Sequence, residues 1–138
     1  MLPVFKSIED FDRPGDALHG VGGEVRVTTR YEPHPLLAAM VAAAQEAGVP
    51  FNDDHNGETL DGVGYSQLTI RDGVRETGAS AFIDPVAGDP RLRVFTGAQV
   101  LGLRFAGARC TGVEVAGGVI EADREVVLCA GTLESPKR

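Results

Sequence analysis

Cysteine is scarce in this chain of 138 residues: only Cys110 and Cys129 are present, and no CxxC pair occurs. Their spacing matches no common zinc pattern, and both stand in apolar, strand-like segments. They read as buried, unpaired thiols. Histidine is almost as rare, with His19, His34 and His55 alone. His34 lies between two prolines ahead of a helix and reads as a surface or capping residue. His19 sits in a Gly-rich loop with no partner motif. His55, beside Asp53, Asp54 and Asn56, reads as part of a solvated polar loop, because neighbours in sequence do not by themselves converge on one ion. No metal site is predicted. Basic residues are outnumbered, 13 against 20 acidic, for a net charge of −7; that balance disfavours nucleic acid and anionic membranes as partners. No apolar run approaches the roughly 18 residues needed to span a bilayer. Residues 1–20 carry Lys6, Glu9, Asp10, Asp12, Arg13 and Asp16 and do not resemble a signal peptide, so a cytoplasmic location is expected. A GxGxxG phosphate-binding turn is missing too: Gly20-Val21-Gly22-Gly23 has neither the spacing nor a preceding apolar strand.

What is present points to short elements and many turns. Apolar residues make up 43% of the chain, enough for one modest core, and its 18 glycines and 8 prolines fall between apolar runs. Residues 2–10 read as the end of a helix through Val4, Phe5 and Ile8, and residues 11–23 as a loop. Val25 and Val27 alternate with Glu24, Arg26 and Thr28, the period of a half-buried strand. Pro35 opens a helix with Leu37, Met40, Val41 and Ala44 on one face, closed by Gly48 and Pro50. A polar loop follows over 51–62, then a strand over 63–70 turning at Asp72-Gly73. Thr77 to Ile83 reads as a short helix with Thr77 as N-cap, broken at Asp84-Pro85.

The texture changes near residue 91. Leu92–Thr96, Gln99–Phe105, Cys110–Val115 and Val119–Ala122 read as strands of an antiparallel meander. Residues 125–130 then run apolar without alternation, as in a strand covered on both faces. Gly131-Thr132 follows, where open α/β sheets bind ligands, and Ser135-Pro136 reads as the N-cap and first residue of another helix. A helix opening just before Arg138 suggests a piece of a larger nucleotide-binding protein. The predicted class is α+β, with domains over 1–91 and 92–138.

Three segments in order carry a family resemblance. The first is Asp54-His55-Asn56-Gly57, then Gly62-Val63-Gly64-Tyr65-Ser66-Gln67-Leu68-Thr69, then Gly73-Val74-Arg75 leading to Ala79-Ser80-Ala81-Phe82. The second runs from Leu92-Arg93-Val94-Phe95-Thr96 through Gly97-Ala98-Gln99-Val100. The third is Gly112-Val113-Glu114-Val115, followed by residues 125–136. With Leu2-Pro3-Val4-Phe5-Lys6-Ser7 ahead of them, they resemble the glucose–methanol–choline family of flavin-dependent oxidoreductases, its choline-dehydrogenase-like members in particular. Departures are small: Cys129 stands for the usual Ser, and Glu76-Thr77 for the residues after the family's arginine.

The resemblance implies a partial substrate-side domain over 1–91 of mixed strands and helices. It implies a partial FAD-binding domain over 92–138, made of the meander and one parallel-type strand. Val100, next to Thr96, would contact the adenine through its backbone. Ala130, Gly131 and Thr132 would pass the ribose and phosphates, a glycine permitting close approach. The family's dinucleotide fingerprint belongs before Met1 and its catalytic His after Arg138, so no catalytic residue is expected within this chain. The reading is a middle fragment, inert alone, of an FAD-dependent enzyme that oxidises a small-molecule alcohol to an aldehyde by hydride transfer to flavin. Two alternatives stand beside it: a stand-alone binding or scaffold module derived from the family, and a piece of another two-domain flavoprotein, against which the 56–69 stretch weighs. An uncovered apolar strand surface predicts self-association as a homodimer.

Overall fold

A computed structural model of the chain describes residues 1–137. Two compact units divide it, Met1–Leu92 and Arg93–Arg138. The class is α+β.

In the first unit, helix α1 (Leu2–Ile8) carries Pro3 in its opening turn and ends where Glu9 turns extended. Strand β1 (Glu9–Phe11) follows at once and pairs in parallel with β2 (Val25–Val27), Phe11 opposite Val27. Helix α2 (Pro35–Glu46) is capped as expected: the His34 ring nitrogen accepts from the Leu36 N–H at 3.2 Å. Gly48, at φ 90°, turns the chain away after it. Of the α2 stripe only Val41 is buried, while Met40 remains 61% exposed. Strands β3 (Ile70–Arg71) and β4 (Val74–Arg75) form a two-residue hairpin, and Asp72 and Gly73 both take positive φ. That is the turn an Asp-Gly pair favours. A π-helical turn over Ala79–Ile83 runs into a 3-10 turn over Asp84–Val86, so Asp84-Pro85 tightens the helix rather than breaking it. Thr77 stands one residue ahead of the cap, its hydroxyl accepting from the Ser80 N–H at 3.2 Å.

The second unit is a meander, β5 (Val100–Ala106), β6 (Arg109–Val115) and β7 (Gly118–Glu121), ordered β5-β6-β7 and antiparallel throughout. Leu103, Val113 and Ile120 stand opposite one another across it. Helix α3 (Gly131–Glu134) and a 3-10 turn (Ser135–Lys137) close the described chain.

Several expected strands do not form. The 63–70 segment joins its neighbours only at single bridges, Phe51 to Val63 and Thr28 to Leu68, until β3 begins. Between them its polar groups serve other partners, the Ser66 carbonyl accepting from the Tyr31 hydroxyl at 2.8 Å. Residues 92–96 and 125–130 form no strand. Each has the apolar content of a strand but no neighbour among the described residues to complete a ladder, and Phe95 and Val127 are 61% and 74% exposed. Ser135 opens the 3-10 turn and its hydroxyl accepts from the Ala130 N–H at 3.0 Å, closing the α3 turn on itself; the helix expected to follow lies outside the described residues. The thiols are unpaired, but Cys110 is half-buried and Cys129 exposed, because the segment meant to bury Cys129 lies uncovered.

The core is small and unusually polar. Among the described residues Phe11, Val41 and Ala81 are the buried apolar side chains, against buried Asp12, His19, Thr28 and Glu76. The accessible surface is 10365 Å² for 14.5 kDa. A single folded body of that mass exposes about 6,900 Å², and two separate bodies of the size of its units about 8,200 Å². Since Phe11 is 4% exposed, Phe11→Ala is expected to cost about 3 kcal/mol in urea unfolding. Phe105→Ser, at a site 59% exposed, is expected to stay within about 0.5 kcal/mol.

Candidate functional site

A buried imidazole organises the first unit. His19 is 4% exposed and has a carboxylate on each ring nitrogen. Nδ1 lies 3.1 and 3.2 Å from the two oxygens of Glu9 on β1, and Nε2 lies 3.0 Å from Asp54 Oδ2. Its ring stacks on Phe11, centroids 4.2 Å apart. The loop carrying it is shaped locally, Asp16 Oδ1 accepting from the N–H groups of both Leu18 and His19 at 2.7 Å. The next residue must be glycine, since a Cβ at Gly20 would stand 1.8 Å from the Lys6 carbonyl oxygen. The freed Gly20 N–H donates to Glu9 at 2.8 Å.

Asp54 carries the network onward. Its other oxygen accepts from Gln67 Nε2 at 2.7 Å and from the Asn56 N–H at 3.0 Å, and the Asn56 side chain donates to Gln67. Asn56 and Gln67 then line a cavity of about 380 Å³ with Glu9, His19, Phe5 and Val27. Among the described residues no group of three or more His, Cys, Asp or Glu is arranged to hold a metal ion.

Two more buried carboxylates brace the same unit. Asp12 accepts from the Thr28 hydroxyl at 2.7 Å, the Thr29 N–H at 2.9 Å and the Thr29 hydroxyl at 3.0 Å. Glu76 accepts from Arg71 Nε at 2.6 Å and from the Arg26 N–H, tying β2 to the β3–β4 hairpin. Burial pulls the Asp12 pKa upward, but these hydrogen bonds outweigh it and hold it below the ordinary value. The Arg71 hydrogen bond does the same for Glu76, and that of Arg26 for Asp10. Burial presses the His19 pKa down; the Glu9 hydrogen bond and the charges of Glu9 and Asp54 overcome it, and the net shift is upward.

The residues predicted to meet a cofactor all lie in the second unit. Thr96 forms a turn with Gly97 and is exposed, and Val100 is the half-buried first residue of β5, paired with Val115. Ala130, Gly131 and Thr132 are exposed at the start of α3. Among the described residues no hydrogen bond joins the 96–100 pair to this second group. Gly131 takes φ 81°, and a Cβ there would meet nothing within 4 Å. Its conformation, rather than crowding within this chain, asks for glycine. Among the described residues β5 has one strand neighbour, β6, and stands at the end of its sheet.

Sequence reasoning missed His19. Its partners Glu9 and Asp54 stand 10 and 35 residues away in the chain, and only folding joins them.

The sequence profile of the family described as GMC oxidoreductase matches residues 1–137. The chain belongs to that family. An oxygen-dependent choline dehydrogenase of Paraburkholderia xenovorans is 37% identical over 99% of this chain and 25% of its own length. The mitochondrial choline dehydrogenase of Mus musculus is 33% identical over 99% of the chain and 24% of its own. Among solved structures, pyridoxine 4-oxidase from Mesorbium loti superposes with a TM-score of 0.87 at 39% identity, covering 98% of this chain and 28% of that one. This GMC-family chain thus spans about a quarter of the length of the curated relatives it matches. No helix among the described residues is long and apolar enough to cross a membrane.

The opposed shifts set a pH window for the first unit. Carboxylates held low contribute stability above their unfolded values, lost as pH falls through the lowered folded ones. His19, held high, contributes stability below its unfolded value near 6.5, lost as pH rises through the raised one. Thermal unfolding followed by circular dichroism is expected to show a plateau from about pH 5 to about pH 6.5, with the midpoint falling on both sides.

Proposed function

We propose that this chain is the middle portion of an FAD-dependent alcohol oxidoreductase of the choline-dehydrogenase kind, and that it is catalytically inert by itself. The observation carrying this reading is the match of essentially the whole chain to about a quarter of each relative. The excess surface supports it: exposed Phe95, Phe105, Val127 and Leu133 are the apolar residues that remaining parts of a longer protein would cover. FAD, when bound, supplies the acceptor of the hydride taken from the alcohol carbon. The part assigned to this chain is narrower. Val100, the first residue of β5, and Thr96 in the turn ahead of it present backbone groups to the adenine. Ala130, Gly131 and Thr132 pass the ribose and phosphates. The first unit forms the substrate-side wall, and the soluble enzyme works in the cytoplasm.

A standard interface covers about 800 Å² per partner, less than the excess. A second copy of the chain therefore covers part of the apolar surface, and the rest of a longer protein covers more. Concentration-dependent sedimentation is expected for the isolated chain; a strict monomer at high concentration would remove the homodimer from this reading.

The purified chain supplied with FAD is expected to leave choline unoxidised, with no aldehyde formed; turnover would overturn the assignment. Flavin fluorescence is expected to titrate saturably and to be displaced by AMP. Val100→Asp is expected to weaken binding about tenfold, about 1.4 kcal/mol. A folded chain that binds neither FAD nor AMP would leave β5 a scaffold without a nucleotide half-site.

A further inference from the structure

His19 joins two parts of the first unit that have few other ties. On one side is β1, whose Glu9 carboxylate is fixed by the Gly20 N–H as well as by the ring. On the other is the 52–61 loop. Its base is closed by paired hydrogen bonds, the Asn52 N–H to the Val63 carbonyl and the Val63 N–H to the Pro50 carbonyl, both at 2.9 Å. Its interior is braced by the Asn52 side chain, which donates to the carbonyls of Thr59 at 2.7 Å and Asp61 at 3.1 Å. The loop is thus a stiff flap on a short base. Among the described residues two side-chain ties hold it to the segment after α1: the His19–Asp54 bond, buried on the His19 side, and an Arg13–Asp53 pair at 2.8 Å that is 38% and 62% exposed. A pair that open to solvent holds little.

An imidazolium donates from both ring nitrogens, whereas a neutral imidazole donates from one and presents a lone pair at the other. With carboxylates at both nitrogens, only the charged ring satisfies both. We propose that His19 is a proton-operated clasp on the 52–61 loop: charged, it binds the loop to β1 through Asp54 and Glu9, and neutral, it lets the loop swing away from the cavity lined by Asn56 and Gln67. On losing a proton the ring keeps its Nδ1–H toward Glu9, which offers two oxygens and is anchored by Gly20. The Nε2 lone pair then faces the Asp54 carboxylate and repels it.

The surrounding charges act in the same direction or offset one another. Glu9 faces the ring from β1, Asp54 from the flap and Asp16 from its own loop. Lys6 reaches in from α1 to the Asp16 carbonyl, and Arg13 lies 5.9 Å over the Phe11 ring on which His19 stacks. Three carboxylates against two partly exposed cations favour the charged ring, and its pKa is raised accordingly. Asn56 and Gln67 ride on Asp54 through three hydrogen bonds to its free oxygen and to each other. A second cavity of about 320 Å³, lined by Leu18, Asn52 and Asp54, lies along the same seam. One proton at His19 thereby sets how the polar rim of the first cavity is presented.

Amide hydrogen exchange in the intact chain, with His19 followed by its ring resonances from about pH 5.5 to about pH 9, tests this. Corrected for intrinsic rates, protection at Asp54, Asn56 and Gly57 is expected to fall as the ring titrates. The fall is about tenfold for each unit by which the folded His19 pKa exceeds the unfolded one, while amides of α2 stay unchanged. Asp54→Asn puts an N–H donor opposite the neutral ring and is expected to abolish the pH dependence. Glu9→Gln keeps Asp54 in place and is expected to shift the transition to lower pH. The proposal is overturned if loop protection is unmoved while His19 titrates, if the ring keeps one charge state throughout, or if the pH dependence survives Asp54→Asn.

Discussion

A charged or polar group taken out of water must find every partner it needs inside the protein, and the first unit is built around that demand. His19, Asp12 and Glu76 are buried in a body too short of apolar side chains to exclude water by packing alone. Each is surrounded by donors or acceptors drawn from segments far apart in sequence. Among the described residues no buried side-chain nitrogen or oxygen lacks a partner. Because leaving one such group unpaired is costly while a complete network contributes only modestly, the network specifies geometry more than it adds stability. It fixes which loop lies against which strand. The parallel pairing of β1 with β2, three residues on each side, survives because Asp12 and Glu76 hold both flanks of β2.

The legible parts of the fold are those whose cause is local. Helix α2 is written in Pro35, an apolar stripe and Gly48, and its His34 cap follows from position. The β3–β4 hairpin is written in Asp72-Gly73, and the meander in its alternating Leu103, Phe105, Val113 and Val115 between glycine turns. The family is legible because its motifs recur in order. Strands over 92–96 and 125–130 were read from apolar content, which reports the burial a segment is suited to. It does not report whether a neighbour is there. Those two segments have none among the described residues, so most of their residues are exposed, and Cys129 with them.

His19 was illegible for the opposite reason. Its neighbours in sequence, Leu18 and Gly20, say nothing about charge, and the residues that give it chemistry come from β1 and from the 52–61 loop. A histidine's role depends on what folding brings to its two nitrogens. Thr96, Val100 and residues 130–132 rest on the family pattern, with the positive φ of Gly131 beside it.

Strand β5 stands at the end of its sheet, with β6 as its one strand neighbour among the described residues. Unsatisfied backbone groups on an exposed strand will pair with any extended chain that comes near, and this is how sheet proteins polymerise. Most proteins guard such an edge with lysine, proline or a bulge. β5 has a register shift near each end, but between them Gly102, Leu103 and Arg104 run as an ordinary strand. A nucleotide lying along β5 would occupy the same donors and acceptors that a neighbouring strand would seek. On the proposed reading, ligand recognition and protection against amyloid-like stacking would be one event, and the bare strand would be the form most open to misassembly.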